Sequence, residues 1–150
     1  MPVVIDNRQR HVSVSTARLS RAVQRALEAV GRPAGEVELT LVGDEEIRTL
    51  NGAFRGIHRR TDVLAFPLEA PHAPGPLVGQ IVISADTASR QARRLGVPLS
   101  AELDLLATHG VLHLIGYDDR DPVEADMMHR RERDILGAAA PRRLWQGLLP

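Results

Sequence analysis

The sequence predicts an α+β fold, a single domain over residues 1–150 in which one small sheet packs against helices. Three observations carry this. Short runs rich in β-branched residues read as strands. Longer segments place apolar residues at helical spacing. The two alternate early and then give way to consecutive helices, an order that fits a sheet with helices segregated against it. A chain of 150 residues suits one hydrophobic core.

Taken in order, Val3-Val4-Ile5 reads as a strand. From Arg18 to Val30 the apolar positions Leu19, Val23, Ala26, Leu27 and Val30 predict a helix, with Ser15 or Thr16 as its cap and Gly31-Arg32-Pro33 as its stop. Glu36 to Val42 alternates with period two, the pattern of a half-buried strand. Asp44 is expected to cap a helix towards Phe54. Asp62 to Phe66 reads as a strand stopped by Pro67, and Gly79 to Ser84 as a buried one. The proline-rich stretch Pro71 to Pro76 separates them as a loop. Asp86 to Leu95 is helical and is broken by Gly96-Val97-Pro98. Ser100 is expected to cap a helix through Leu103, Leu106, Ala107, Val111 and Leu114, which Gly116-Tyr117 ends. Pro122 fits a first helical position, and that last long helix reaches Ile135-Leu136. The segment from Gly137 to Pro150 is left open between helix and loop.

Composition narrows the function. There is no cysteine, so disulfides and thiolate metal sites are excluded, and a transition metal would have to be held by His, Asp or Glu. No apolar run is long enough for a membrane span, and Met1 to Arg10 lacks the basic start and apolar stretch of a signal peptide. The expectation is a soluble cytoplasmic protein. Formal net charge is zero, which argues against broad nonspecific binding of nucleic acid while leaving room for a local basic patch. All 19 basic side chains are arginine, so every fixed cation is a planar fork suited to phosphate or carboxylate.

The informative stretch is Thr108 to Arg120, THGVLHLIGYDDR. His109 and His113 are four apart, which on a helix stacks both rings on one face. Two imidazoles so placed can share one metal ion, with zinc favoured. Gly116 allows a turn after the helix, and Asp119 on the returning segment is positioned as third ligand, at the helix end. Three protein ligands leave a position open for water, as catalytic sites do. A pair of surface histidines is the plain alternative. A four-ligand structural zinc is a second, although such sites often use thiolates, absent here. Gly110 stands where the H-E-x-x-H peptidases carry their glutamate base, which counts against a metallopeptidase.

At these residues the chain resembles the bacterial endoribonuclease YbeY family, the ribosomal RNA maturation factors. The family pattern H-G-x-L-H-L-x-G-Y-D-H is followed from His109 to Asp118 and departs only at Asp119. Leu50-Asn51, Phe54-Arg55-Gly56 and Thr61 to Pro67 (TDVLAFP) resemble L-N-x-x-Y-R-G and T-D-V-L-S-F-P. Gly79 to Ser84 (GQIVIS) resembles G-D-I-V-I-S. Asp119 replaces the family's third ligand histidine, Gln80 replaces an acid, and Phe54 and Ala65 each lose a hydroxyl.

The resemblance implies a small mixed sheet with helices and a metal ion at the end of a cleft. It also implies a single-strand-specific, metal-dependent endoribonuclease in ribosomal RNA maturation and ribosome quality control. Ribosomal RNA, the small ribosomal subunit, a ribosomal protein and an assembly GTPase would be its partners. Arg55 matches the arginine of the Y-R-G block and is expected to grip phosphate with a bidentate fork. Arg59 and Arg60 extend that patch. Arg90, Arg93 and Arg94 read as a solvated helix face, and Arg130, Arg131 and Arg133 as locally paired with Glu132 and Asp134. The competing reading is a noncatalytic ribosome-assembly factor with a structural or degenerate metal site.

Overall fold

The computed structural model describes residues 3–54, 63–68 and 77–147. Arg55, His58, Arg59, Arg60 and the Pro71 to Pro76 loop lie outside them. Four strands, β1 (Val3–Asn7), β2 (Glu36–Val42), β3 (Val63–Pro67) and β4 (Val78–Ser84), form one mixed sheet in the order β1-β2-β4-β3. β1 and β4 run parallel to β2, and β3 is antiparallel to β4. Among the described residues, five helices accompany them: α1 (Thr16–Ala29), α2 (Asp44–Phe54), α3 (Ala85–Leu95), α4 (Leu99–Leu114) and α5 (Pro122–Leu136). A 3₁₀ helix, Arg142–Gly147, follows. The α+β expectation therefore holds, and the Gly137 to Pro150 segment contains that 3₁₀ turn.

Strand alternation divides the sheet into two faces. Val37, Leu39, Leu41, Ile81 and Ile83 point to one, where α1 and α4 complete the main core with Leu19, Val23, Leu27, Leu103, Leu106 and Val111. Val42, Leu64 and Val82 point to the other and pack with Ile47 of α2. α4 is the central element. Every residue from Ala101 to Leu114 is buried, so this helix is enclosed rather than amphipathic. Full burial of Leu105, Leu106, Leu112 and Leu114 contributes about 2 kcal/mol each before conformational entropy is counted. Two glycines let α4 close on β4. A Cβ at Gly79 would lie 2.6 Å from Leu114, and one at Gly110 would lie 2.9 Å from Ile81.

Several local expectations are met and some are corrected. Ser15 caps α1, its side chain accepting the Arg18 amide. Ser100 does not cap α4: Pro98 occupies the cap position without a side-chain hydrogen bond. Pro67 closes β3 from inside the strand, as an edge strand permits. Asp44 is the first residue of α2, and its carboxylate turns to α3 instead of capping its own helix. It accepts from Ser84 Oγ at 2.6 Å and from Thr87 Oγ1, and pairs with Arg90 at 2.8 Å. Burial alone would push this carboxyl up, but these hydrogen bonds outweigh it and hold it at about 2. Arg90 thus ties α3 to α2 and is not simply a solvated side chain. No helix among the described residues is long and apolar enough to cross a membrane.

Candidate metal centre

The last two turns of α4 carry His109 and His113, both buried. Four residues of helix bring their rings together at right angles, with centroids 4.5 Å apart. Each Nδ1 is committed to an acceptor. His113 Nδ1 meets the Tyr117 carbonyl at 3.0 Å, and a carbonyl can only accept, so this nitrogen carries the proton. His109 Nδ1 meets Glu132 Oε2 at 2.5 Å. Burial would push the Glu132 carboxyl up, yet the hydrogen bonds from His109 and His129 hold it down at about 2. It is ionised and accepts only, which fixes the His109 tautomer too.

With both protons on Nδ1, the two Nε2 lone pairs face each other at 3.0 Å. Two acceptors at that distance repel unless a cation lies between them. A proton carried by His109 would bridge them as a single N–H···N hydrogen bond, with burial and the neighbouring His109 holding the His113 imidazole down at about 4 so that its Nε2 accepts. A metal ion in place of that proton satisfies both lone pairs.

The third group follows from the turn. Gly116 adopts φ +105°, a left-handed conformation that costs glycine little. The Tyr117 amide bonds back to the Leu112 carbonyl at 3.0 Å. The chain then reverses, and Asp119 Oδ2 comes within 3.8 Å of His109 Nε2. One ligand atom from each of His109, His113 and Asp119 lies within 4.8 Å of the others. Bonds of about 2.0–2.1 Å in a tetrahedron would separate ligands by about 3.3 Å, a value bracketed by the 3.0 and 3.8 Å observed. Two imidazoles and a carboxylate, with no thiolate, form a donor set suited to zinc and related divalent ions. Asp118 turns aside, accepting the Asp119 amide at 2.7 Å and pairing with Arg120 at 2.7 Å.

Sequence reasoning missed the support beneath these three side chains. Glu132 reads in the sequence as the partner of neighbouring arginines; in the structure it is completely buried. One oxygen takes His109, and the other takes His129 Nδ1 at 2.8 Å and the Trp145 indole N–H at 3.1 Å. Trp145 is placed there by packing of the 3₁₀ helix, through Leu144 and Trp145 itself, with Leu105 and Leu136. The signal was present in α5: Glu132 sits four residues from Met128 and from Leu136, inside the buried stripe. A charged residue in such a stripe has to be paired. His129, separate from the ligand cluster, shares this carboxylate. Carboxylates placed behind metal-binding histidines orient the ring and raise its basicity.

These groups give stability a defined pH dependence. In the unfolded chain His113 takes up a proton as pH falls through about 6.5; in the folded, metal-free protein it does so only near 4. The unfolded state therefore binds more protons between those values, and stability falls as pH drops across that window. Glu132, held at about 2 against an ordinary 4.5, extends the loss below pH 4.5. We expect the melting temperature of metal-stripped protein to decrease steadily from pH 7 to pH 4, with the upper part of the decrease absent in His113→Ala. A flat profile in the parent would contradict this linkage.

The chain is similar to known proteins over most of its length. The family model described as Endoribonuclease YbeY matches residues 4–140. An endoribonuclease YbeY of Pelotomaculum thermopropionicum is 42% identical over 146 residues, covering 91% of this chain and 96% of that protein. One from an Anaeromyxobacter species is 46% identical over 121 residues, 81% of this chain. This chain spans 63% of the length of that relative. A solution structure from Thermotoga maritima superposes with a TM-score of 0.59 at 26% identity, covering 97% of this chain and 91% of that one. The specific H-G-x-L-H-L-x-G-Y-D block thus sits in a chain that matches from first strand to last helix: this protein belongs to the endoribonuclease YbeY family.

Proposed function

We propose that residues 1–150 act as one domain, a zinc-dependent endoribonuclease that cuts single-stranded RNA during ribosomal RNA maturation and ribosome quality control in the cytoplasm. The observation that carries the metal dependence is the pair of Nε2 lone pairs converging at 3.0 Å beside Asp119. RNA as substrate is supported by the family and by the Phe54-Arg55-Gly56 block. Ribosomal RNA and the small subunit are the proposed partners, with a ribosomal protein and an assembly GTPase.

His109, His113 and Asp119 would hold one zinc ion. When bound, it would supply Lewis acidity and water of lowered pKa. The protein's own residues do the rest. Glu132 holds the His109 ring and the Tyr117 carbonyl holds the His113 ring, so both are aimed before any ligand arrives. The carboxylate of Asp119 lowers the net charge of the site by one and so favours a divalent cation. Arg55 is assigned to the scissile phosphate, which it would grip through two parallel hydrogen bonds, remaining charged at any working pH.

Peptide cleavage fits this site poorly. Gly110 faces Ile81 across the α4–β4 contact, so the position that bears a base in zinc peptidases is turned to the sheet. Robust peptide hydrolysis with intact RNA would reverse the ranking. A noncatalytic assembly factor would retain metal and leave RNA uncut.

Arg55 gives a sharper test. Arg55→Ala is expected to lower RNA cleavage about a hundredfold, the scale of one lost transition-state donor. Arg55→Lys keeps the charge but loses the fork, and should fall by about tenfold. Metal content and melting temperature should match the parent in both. Arg93→Ala, on the exposed side of α3, serves as control. Parental cleavage by Arg55→Ala would remove the assignment, as would a loss explained by lost metal.

A further inference from the structure

The side of α4 away from the histidines borders a second concentration of arginine. Arg18, Arg21 and Arg25 follow one another along α1 beside its buried stripe of Leu19, Ala22, Val23, Ala26 and Leu27. They flank two neighbouring clefts of about 260 and 510 Å³; Arg18, Arg25 and Asp104 line both. Arg18 pairs with Asp104 at 2.9 Å. Arg21 and Arg25 are exposed, and neither has a carboxylate within ion-pair distance among the described residues. The remaining acid of the larger cleft, Glu28, accepts the Gln24 amide at 3.5 Å. In a chain of zero net charge, two uncompensated guanidinium groups on one wall are a local feature.

We propose that this cleft binds the sugar-phosphate backbone of single-stranded RNA, with Arg21 and Arg25 gripping successive phosphates at a distance from the metal centre. Naming RNA as occupant rests on the endoribonuclease reading. Seven residues of helix place Arg18 and Arg25 about 10.5 Å apart along α1, a span for more than one phosphate. Asp104 precedes His113 by nine residues, which is about half a turn around α4 and about 13.5 Å along it. The cleft and the metal cluster therefore open on different sides of one helix, and a strand would have to pass around it to meet both.

The lining favours RNA over an acidic protein segment. Apart from the arginines and two acids, the larger cleft offers only Ala22. A protein interface draws on an apolar, desolvated centre. A phosphate backbone is held by charge and hydrogen bonds alone, and its affinity depends steeply on salt.

The test is fluorescence anisotropy with a labelled single-stranded RNA of about 20 nucleotides, titrated into metal-loaded protein over a range of salt, with RNA integrity checked by gel. For Arg21→Gln/Arg25→Gln the slope of log affinity against log salt should shrink by about 1.4, two contacts at about 0.7 each. Affinity at low salt should fall about tenfold. Arg93→Gln/Arg130→Gln, with the same change in charge elsewhere, should keep the parental slope. Metal content and melting temperature should be unchanged in both. Parental affinity and slope in the Arg21/Arg25 variant would overturn the proposal while leaving the nuclease reading standing. A labelled polyglutamate peptide, titrated in the same way, that binds the parent and loses affinity in the Arg21/Arg25 variant while RNA binding is retained would also overturn it, in favour of an acidic protein. A parent that binds no RNA would remove both readings.

Discussion

Glu132→Ala is expected to lower the melting temperature by about 10 °C and to weaken metal binding by about ten- to a hundredfold. The first figure comes from what the substitution leaves behind. Three N–H donors, on His109, His129 and Trp145, now end on one fully buried carboxylate. Alanine removes every acceptor and opens a cavity as well. Breaking a buried hydrogen-bonded charge network costs roughly 3–5 kcal/mol, and in a chain of this size each kcal/mol moves the midpoint by about 2–4 °C. The second figure is the typical consequence of losing the carboxylate that orients a metal-bound histidine. Glu132→Gln keeps the volume but places an amide N–H₂ among donors, and should lie between parent and alanine. Calorimetry with and without added metal separates the two effects. A Glu132→Ala protein that melts like the parent and holds metal as tightly would mean that the buried network is energetically idle.

His113→Ala is expected to abolish tight metal binding and to lower RNA cleavage by at least about a hundredfold. The ion would lose one of two imidazoles, and chemistry that draws several kcal/mol of transition-state stabilisation from it cannot survive at a comparable rate. The variant should still fold. Among the described residues, His113 makes only the hydrogen bond to the Tyr117 carbonyl in addition to its contact with His109, and α4 is anchored by its leucines. Circular dichroism should therefore show retained structure alongside the lost activity. Cleavage at the parental rate would place the chemistry elsewhere.

Much of this was legible in the sequence because it is periodic. Strand alternation located β2 to the residue, and helical spacing located α1 and α5 within a residue or two. The His109/His113 pair and the Gly116 turn announced the site because a short helical repeat followed by a flexible residue has few geometric outcomes. What escaped was long-range. Asp44 looked like a helix cap because its local context is that of one; its actual partners, Ser84, Thr87 and Arg90, lie 40 or more residues away. Glu132 sits among arginines in sequence, but the helix turns it inward while its neighbours point out. Trp145 reaches it only through tertiary packing of a segment with no clear period. Local patterns fix which face a side chain takes; they do not name what waits on the other side of that face.

The most direct test of the metal centre is elemental analysis of protein purified without added chelator or metal. The parent should carry about one zinc ion per chain, Asp119→His should keep it, and His113→Ala and Asp119→Ala should lose most of it. Equal metal content in all four proteins, or none in the parent under conditions where it folds and cuts RNA, would contradict a site built from His109, His113 and Asp119.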